Sequence, residues 1–147
     1  MPLADLRYPV VCLAERTGPS VVARLDELAR SRPSLVRAGH FVALRVVDAD
    51  GRTHAVTEAE IIAPRTRLAR WGAALLDLPV RMHLTLQELP AIDVNELRDQ
   101  LTRELAAEPA LVEEQTNHSL DWWREHLDSA TSVPDLVRRF AAGVAAG

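Results

Sequence analysis

Alternating apolar and polar side chains predict β-strands in the first two thirds of the chain. The clearest case is residues 80–87, where apolar residues at every second position from Val80 to Leu86 alternate with polar ones, the period of a strand with one buried face. Residues 41–48 and 52–57 flank a loop that ends in Gly51, and a glycine there suits the positive φ of a tight turn. We therefore predict a β-hairpin over 41–57 and a strand over 80–87.

The hairpin has a predicted register. If residues 49–51 form a three-residue loop with a bulge at the glycine, Val46 lies opposite His54 and Leu44 lies opposite Val56. A slip of one residue exchanges the two faces of the strand. The side of the sheet that carries His54 therefore stays open.

Two other segments carry weaker strand signals. A short apolar run at 8–14 contains Pro9, which excludes a helix interior and suits the start of an edge strand. Residues 57–64 are ambiguous, because Thr57 and Glu60 have the spacing of a helix capping box while the isoleucines that follow favour a strand.

Apolar residues at helical spacing interrupt this pattern twice. They predict a helix over 19–31, with Pro19 at its first position and one more turn over 34–38. A second helix is predicted over 66–77, and Pro79 marks its end.

The last third of the chain has helical periodicity throughout. Asp93 is a predicted N-cap for a helix that ends near Pro109. Its predicted buried stripe is Val94, Leu97, Leu101 and Leu105. Further helices are predicted over 109–115, 119–129 and 133–142, and we expect the last five residues to fray.

This order of elements predicts an α+β fold, a single globular domain over 1–147. Its small, mostly antiparallel sheet consists of the hairpin 41–57 and the strand 80–87, with 8–14 as an edge strand, and helices pack on one face. A doubly wound parallel sheet would need regular alternation of strands and helices. A four-helix bundle is the alternative for the C-terminal residues, and the alternation over 80–87 argues against it.

Composition narrows the class of protein. The 147 residues have 48% hydrophobic and 26% charged side chains, as in globular proteins rather than disordered ones. The net charge of −4 argues against a nucleic-acid binder, which needs a basic surface. All 17 basic residues are Arg, a bias typical of a GC-rich genome, so we expect a bacterial protein.

Few motifs point to chemistry or to a membrane. The six glycines are scattered, so there is no phosphate-binding loop, dinucleotide fingerprint or nucleophile elbow. The single cysteine, Cys12, lies in an apolar run and is predicted to be a buried structural thiol. The first residues lack the basic region, the apolar stretch and the small-residue cleavage site of a secretory signal, and the longest apolar stretches are far shorter than a membrane span. We expect a cytoplasmic protein with no cofactor and no membrane contact.

The most suggestive polar cluster lies near residue 122. On a helix that starts at Ser119, Leu120, Trp123 and Leu127 share one face, which we assign to the core. Trp122 is about 100° away from Trp123 around the helix. A neighbouring, more polar face gathers the candidate site residues His118, Asp121, Trp122, Glu125 and His126.

Three interpretations of this cluster stay open. His118, Asp121 and Glu125 have a spacing that lets an imidazole and carboxylates converge on a metal, with His126 or Glu114 as extra ligands. Alternatively, an exposed tryptophan with a polar rim forms the anchor of a protein-binding surface. In the third interpretation, Trp122 simply packs against an adjacent helix and its polar neighbours are solvated.

Two weaker candidates lie elsewhere in the chain. His54 and His83 lie on predicted strands and form a candidate acid–base pair if these strands are neighbours, although no carboxylate or serine completes a catalytic set. The basic segment 65–70 is a candidate phosphate-binding segment, but its pattern is more typical of the solvated side of an amphipathic helix.

We therefore expect a non-enzymatic binding protein that contacts a protein partner through the surface around Trp122. A sequestering partner, such as a toxin-neutralising protein, is one concrete form of this function. A small metal-dependent hydrolase or isomerase that uses His118, Asp121, Glu125 and His126 is the alternative. Self-association stays open.

Overall fold

The computed structural model describes residues 5–14, 18–22, 30–31, 44–62 and 80–145. The strands in these ranges are β1 (Val10–Ala14), β2 (Gly18–Val22), β3 (Arg30–Ser31), β4 (Arg45–Val47), β5 (Thr53–Ile61) and β6 (Val80–Leu89). The helices are α1 (Val94–Ala107), α2 (Pro109–Thr116), α3 (Leu120–Asp128) and α4 (Val133–Ala145). The predicted helical segments at 34–38 and 66–77 lie outside the described residues.

The strands form one sheet in the order β2-β1-β4-β5-β6-β3, in which every neighbouring pair is antiparallel. The described helices of the C-terminal third pack against one face of it, where Val11, Leu13 and Val47 are buried beneath them. The predicted α+β class is therefore confirmed. The strand predicted over 80–87 is present and is two residues longer, as β6.

The hairpin forms in the predicted register. Val46 pairs with His54, and the Val56 N–H donates to the Leu44 carbonyl at 2.8 Å. Gly51 has a φ of 85°, the left-handed conformation that glycine adopts without steric cost. The hairpin thus follows from its local turn signal.

Asp48 organises the hairpin loop. Its carboxylate is fully buried and accepts hydrogen bonds from the backbone N–H groups of Asp50 at 3.1 Å and Arg52 at 2.9 Å. The Arg52 side chain reaches the same carboxylate at 3.0 Å. Arg7 adds a longer backbone bond of 3.3 Å, so the loop is tied to the segment that precedes β1.

A β-bulge explains the ambiguous segment 57–64. β5 continues to Ile61 and pairs with β6, and its register shifts between Val56 and Glu58. A β-bulge inserts one extra residue into a strand, so side chains three positions apart can point to the same face of the sheet. Val56 and Ala59 therefore lie on the same buried side, opposite Leu86 and Leu84. Residues 57–61 are strand and not a helix start, and residues 63–64 lie outside the described residues.

The prediction of a helix over 19–31 is wrong where the structure describes it. Residues 18–22 are strand β2, antiparallel to β1, and residues 30–31 are strand β3, paired with β6. Val21 packs against the helical core, and β-branched residues such as valine favour a strand once a partner is present. Pro19 fits because β2 is the outermost strand, where a missing N–H is tolerated.

The segment 8–14 is a strand, but not at an edge. β1 lies between β2 and β4 and pairs with both. Pro9 precedes the strand and so leaves both ladders intact. The pairing partner that makes β1 an interior strand is β2, the segment that sequence periodicity assigned to a helix.

The helices follow their predicted signals closely. The Asp93 side chain caps α1 by accepting from the Asn95 N–H at 3.1 Å, and the buried residues of α1 are Leu97, Leu101 and Leu105. α4 continues to Ala145 instead of fraying after residue 142, because Gly143 is buried beneath the indole of Trp123.

Two hydrophobic clusters lie on the two faces of the sheet. The first joins the helices to β1 and β4 around Trp123, Leu127 and Phe140. The second, on the opposite face, includes Val10, Cys12, Val46, Val56 and Leu84.

Candidate interaction surface on helix α3

The end of α2 and the start of α3 fix the geometry of the site. Asn117 ends α2 in the left-handed conformation, with a φ of 59°, which turns the chain and brings His118 beside α3. The Ser119 hydroxyl caps α3 by accepting from the Trp122 N–H at 3.2 Å. The predicted helix start at Ser119 is therefore confirmed.

Trp123 anchors α3 in the core, as predicted. It is fully buried together with Leu127, and its indole Nε1–H donates to the Thr116 hydroxyl at 3.0 Å. That hydroxyl in turn donates to the Val112 carbonyl at 2.7 Å. The ring of Phe140 lies 5.4 Å away, so the orientation of α3 is fixed from both α2 and α4.

Trp122 lies between two histidine rings. The imidazole of His118 stacks on the indole with 3.5 Å between ring centroids and 9° between planes. The imidazole of His126 stacks at 4.5 Å and 21°. Trp122 and His126 are four positions apart on α3, the spacing that places side chains on one helical face, whereas His118 lies just before the helix. Trp122 is partly buried against the core, and the two histidines hold its ring in one orientation.

His126 also links α3 to α4. Its Nε2 lies 2.9 Å from the backbone carbonyl of Arg139, and because a carbonyl only accepts, Nε2 carries the hydrogen. In the neutral imidazole, Nδ1 is then the nitrogen that keeps its lone pair. The ring is thus fixed by a stack on one side and by a hydrogen bond at its edge.

A notch of about 310 Å³ opens between α3 and α4 beside this stack. Its lining residues are Trp122, Glu125, His126, Ser129 and Arg139. The Ser129 hydroxyl donates to the Glu125 backbone carbonyl at 2.9 Å, and the Arg139 guanidinium pairs with Asp135 at 3.2 Å. The notch therefore has an aromatic wall and a polar rim.

The structure does not assemble the metal site that the spacing suggested. His118 and His126 lie on opposite faces of Trp122, so their rings do not converge. The Asp121 side chain is 95% exposed and pairs with Arg124 at 3.7 Å. Within the described ranges, no three His, Cys, Asp or Glu side chains lie close enough to share a metal ion.

The sequence-predicted site residues thus fall into two groups. Trp122, Glu125 and His126 line the notch. His118 supports the back of the indole, and Asp121 points into solvent.

The predicted pair of His54 and His83 does not form. His54 pairs with Glu88 across β5 and β6, whereas His83 pairs with Glu60 at the other end of these strands. His54 is fully buried, and neither of its ring nitrogens has a hydrogen-bond partner in the described part of the chain. His83 is exposed, so the two imidazoles occupy different environments.

Cys12 is a buried thiol, as predicted. Burial raises the pKa of the Cys12 thiol to about 12, although a hydrogen bond with Ser20 opposes the shift. A thiolate nucleophile needs the opposite shift. The basic segment 65–70 lies outside the described residues.

Arg139 and Ser129 belong to the notch but were missed by sequence analysis. Ser129 follows the last residue of α3, so it could have been added from helical spacing alone. Arg139 comes from α4, and no local pattern indicates that it meets Trp122. Its place depends on how α3 and α4 pack.

Comparison with known proteins gives no functional information: no protein-family model, no curated protein and no solved structure matches this chain. In the ranges that the structure describes, no helix has the length and apolar character needed to cross a membrane.

Charge is unevenly distributed between the sheet and the helices. Residues 93–145, which contain the four described helices, have eleven Asp and Glu but only five Arg. The stretch 108–129 around the notch has six acidic residues and one Arg. The remaining N-terminal residues are slightly basic, so the acidity of the protein is concentrated in its helical third.

Proposed function

We propose that this protein is a non-enzymatic binding protein that recognises a protein partner through the α3 surface around Trp122. The observation that carries the proposal is the histidine stack, which holds Trp122 in one orientation at the wall of the notch. Tryptophan and arginine are enriched at the energetic centres of protein interfaces. A side chain that is already fixed loses little conformational entropy on binding.

The groups that could support catalysis do not favour an enzyme. The Cys12 thiol is buried with a raised pKa, and His54 and His83 lie apart with different partners. The ligands of the alternative metal site point in different directions. Three of the five sequence-predicted residues, Trp122, Glu125 and His126, line the notch beside α3, and this supports a binding surface there.

The charge distribution indicates the kind of partner. An acidic surface attracts a basic partner over a distance of about 10 Å at moderate salt and speeds its association. A cytoplasmic protein that sequesters a basic partner, as a toxin-neutralising protein does, is one form that this function takes. Binding of this kind weakens as salt concentration rises.

The proposal is tested with two matched charge reversals. Glu125→Arg changes the rim of the notch, and Glu58→Arg changes an exposed position on β5, on the sheet. Tagged wild-type protein and both variants are used to isolate complexes from the source cells, and the purified partner is then titrated against each. Circular dichroism and thermal unfolding establish that each variant folds.

The expected result is a near-stoichiometric protein partner that Glu125→Arg and Trp122→Ala bind at least tenfold more weakly, a difference of about 1.4 kcal/mol. Glu58→Arg should bind as the wild type does. Equal loss in both charge variants would place the surface elsewhere and overturn the assignment. Failure to isolate any stoichiometric partner would overturn the function itself.

A further inference from the structure

The charged groups of the notch are not balanced. Arg139 is paired with Asp135 through its Nε atom, so its charge is compensated within α4. Glu125 is exposed and has no ion-pair partner among the described residues. The carboxylate of Glu125 is therefore the uncompensated charge at the rim.

The imidazole of His126 lines the same notch. Its Nε2–H is used by the Arg139 carbonyl, so the neutral ring has only the Nδ1 lone pair to offer a ligand. The stack on Trp122 prevents the ring from turning freely. The notch is thus lined by one carboxylate residue and by one imidazole whose orientation is fixed.

We infer that the notch binds an arginine side chain of the partner. A guanidinium is planar, always charged and has five N–H donors, so it can meet two separate acceptors at once. The carboxylate of Glu125 serves as its counter-ion, and Nδ1 of His126 accepts a second hydrogen bond. This inference rests on the proposed function and specifies the chemistry that the α3 surface recognises.

The size and the surroundings of the notch agree with this ligand. Its volume of about 310 Å³ lies at the small end of the range for ligand sites, roughly 300 to 1,000 Å³, and suits one side chain. Both faces of Trp122 are covered by histidines, so the guanidinium does not stack on the indole. The surplus of acidic residues over 108–129 favours the approach of a cation.

The test uses a blocked amino acid and its neutral isostere. Nα-acetyl-arginine amide and Nα-acetyl-citrulline amide have nearly the same shape, but only the first is charged. Each is titrated into ¹⁵N-labelled protein while backbone amide and indole N–H signals are recorded. The Trp122 indole signal is assigned by comparison with Trp122→Phe.

Binding of the arginine probe should move the signals of Trp122, Glu125, His126 and Ser129 in a saturable way. The citrulline probe should bind at least tenfold more weakly, because hydrogen bonds with a charged donor are roughly twice as strong as those between neutral groups. Glu125→Gln should weaken the arginine probe by about the same factor. Glu58→Gln, the matched change on the sheet, should leave its affinity unchanged.

A second variant separates the role of His126 from that of the carboxylate. His126→Phe keeps an aromatic ring against Trp122 but removes Nδ1, and we expect roughly threefold to tenfold weaker binding of the arginine probe. An unchanged affinity would remove His126 from the recognition of the guanidinium and overturn that part of the inference.

Two other outcomes would overturn the inference as a whole. One is equal affinity for the arginine and citrulline probes, and the other is no signal change with either probe. The proposed function is judged separately, by the complex with the natural partner. If Glu125→Arg abolishes that complex while the arginine probe does not bind, the function stands and the arginine assignment fails.

Discussion

Gly143 is the position where a single methyl group should have a large and unexpected effect. In an exposed helix interior, glycine to alanine stabilises a helix by about 1 kcal/mol. Gly143 is instead buried in α4, directly under the indole of Trp123. A Cβ atom built there would lie 2.8 Å from Cζ3 and 3.1 Å from Cζ2 of Trp123, and still closer to Cη2.

The magnitude follows from how little the indole can move. Carbon atoms in contact prefer separations of about 3.5 to 4.0 Å, so the ring must shift by roughly 1 Å. Its Nε1–H is held by the Thr116 hydroxyl at 3.0 Å, and the ring of Phe140 packs against it with 5.4 Å between centroids. Overpacking of this kind costs about 1 to 3 kcal/mol and a weakened buried hydrogen bond about 1 kcal/mol more. After the gain in helix propensity, we expect a net loss of about 2 kcal/mol.

The assay is chemical and thermal unfolding of Gly143→Ala. A loss of about 2 kcal/mol lowers the Tm of a protein of this size by roughly 4 to 8 °C. Ala142→Gly, at the preceding exposed position of α4, is the matched control and should lose about 1 kcal/mol from propensity alone. In a Trp123→Leu background the same Gly143→Ala change should no longer be destabilising, since the clash is gone.

A Gly143→Ala variant that is more stable than the wild type would refute this reasoning. So would an equal effect of Gly143→Ala with and without Trp123, because the two positions would then be uncoupled. Either result would mean that the indole does not pack on α4 as the structure shows.

Three further predictions concern buried polar groups. Asp48→Asn should lower the free energy of unfolding by about 2 to 3 kcal/mol in urea titrations, because it removes a buried carboxylate that accepts from Arg52 and the loop N–H groups; an unchanged midpoint would contradict this. His54→Leu should raise the free energy of unfolding by about 1 to 3 kcal/mol, since both ring nitrogens are buried without partners in the described ranges, and a lower Tm would argue against it. Burial raises the pKa of Cys12 from 9.0 to about 12, so the thiol of the unfolded chain ionises at a lower pH than the thiol of the folded protein. The free energy of unfolding should therefore be unchanged below pH 9 and about 1.4 kcal/mol lower at pH 10. In unfolding curves from pH 7 to 10, Cys12→Ala should show a flatter dependence on pH.

Few other side chains of this protein titrate in the alkaline range in which the Cys12 thiol ionises. There is no Lys, one Cys and one Tyr, so few side chains titrate between pH 9 and 12. Burial also raises the pKa of Tyr8 to about 12, and the nearby Cys12 adds to that shift. The slope that remains in Cys12→Ala therefore reports mainly on Tyr8.

Some of the candidate site could be predicted from the sequence, and some could not. Trp122, Glu125 and His126 lie on one helix, so helical spacing was enough to place them together. The partial burial of Trp122 against the core agrees with the interpretation in which it packs against an adjacent helix. That interpretation did not include a notch beside Trp122, which the structure shows. The stacking of both histidines on one indole, and the arrival of Arg139 from α4, depend on packing between helices.

Local signals determined the elements whose residues interact with near neighbours. The register of the hairpin follows from the loop that ends in Gly51, the strand at 80–87 follows from strict alternation, and α1 follows from the cap at Asp93 and its leucine stripe. In each case the element is specified by a turn, a helix cap or an apolar face with a period of 2 or 3.6 residues. These features are encoded within a few residues of the chain.

The tertiary structure decided what depends on distant partners. Residues 18–22 have apolar spacing that fits a helix, yet they form β2 because β1 offers a ladder of backbone hydrogen bonds. The same pairing makes 8–14 an interior strand, and the sheet buries His54 on the face opposite the helices. Periodicity reports which side chains share a face, but strand pairing and helix packing decide what that face meets.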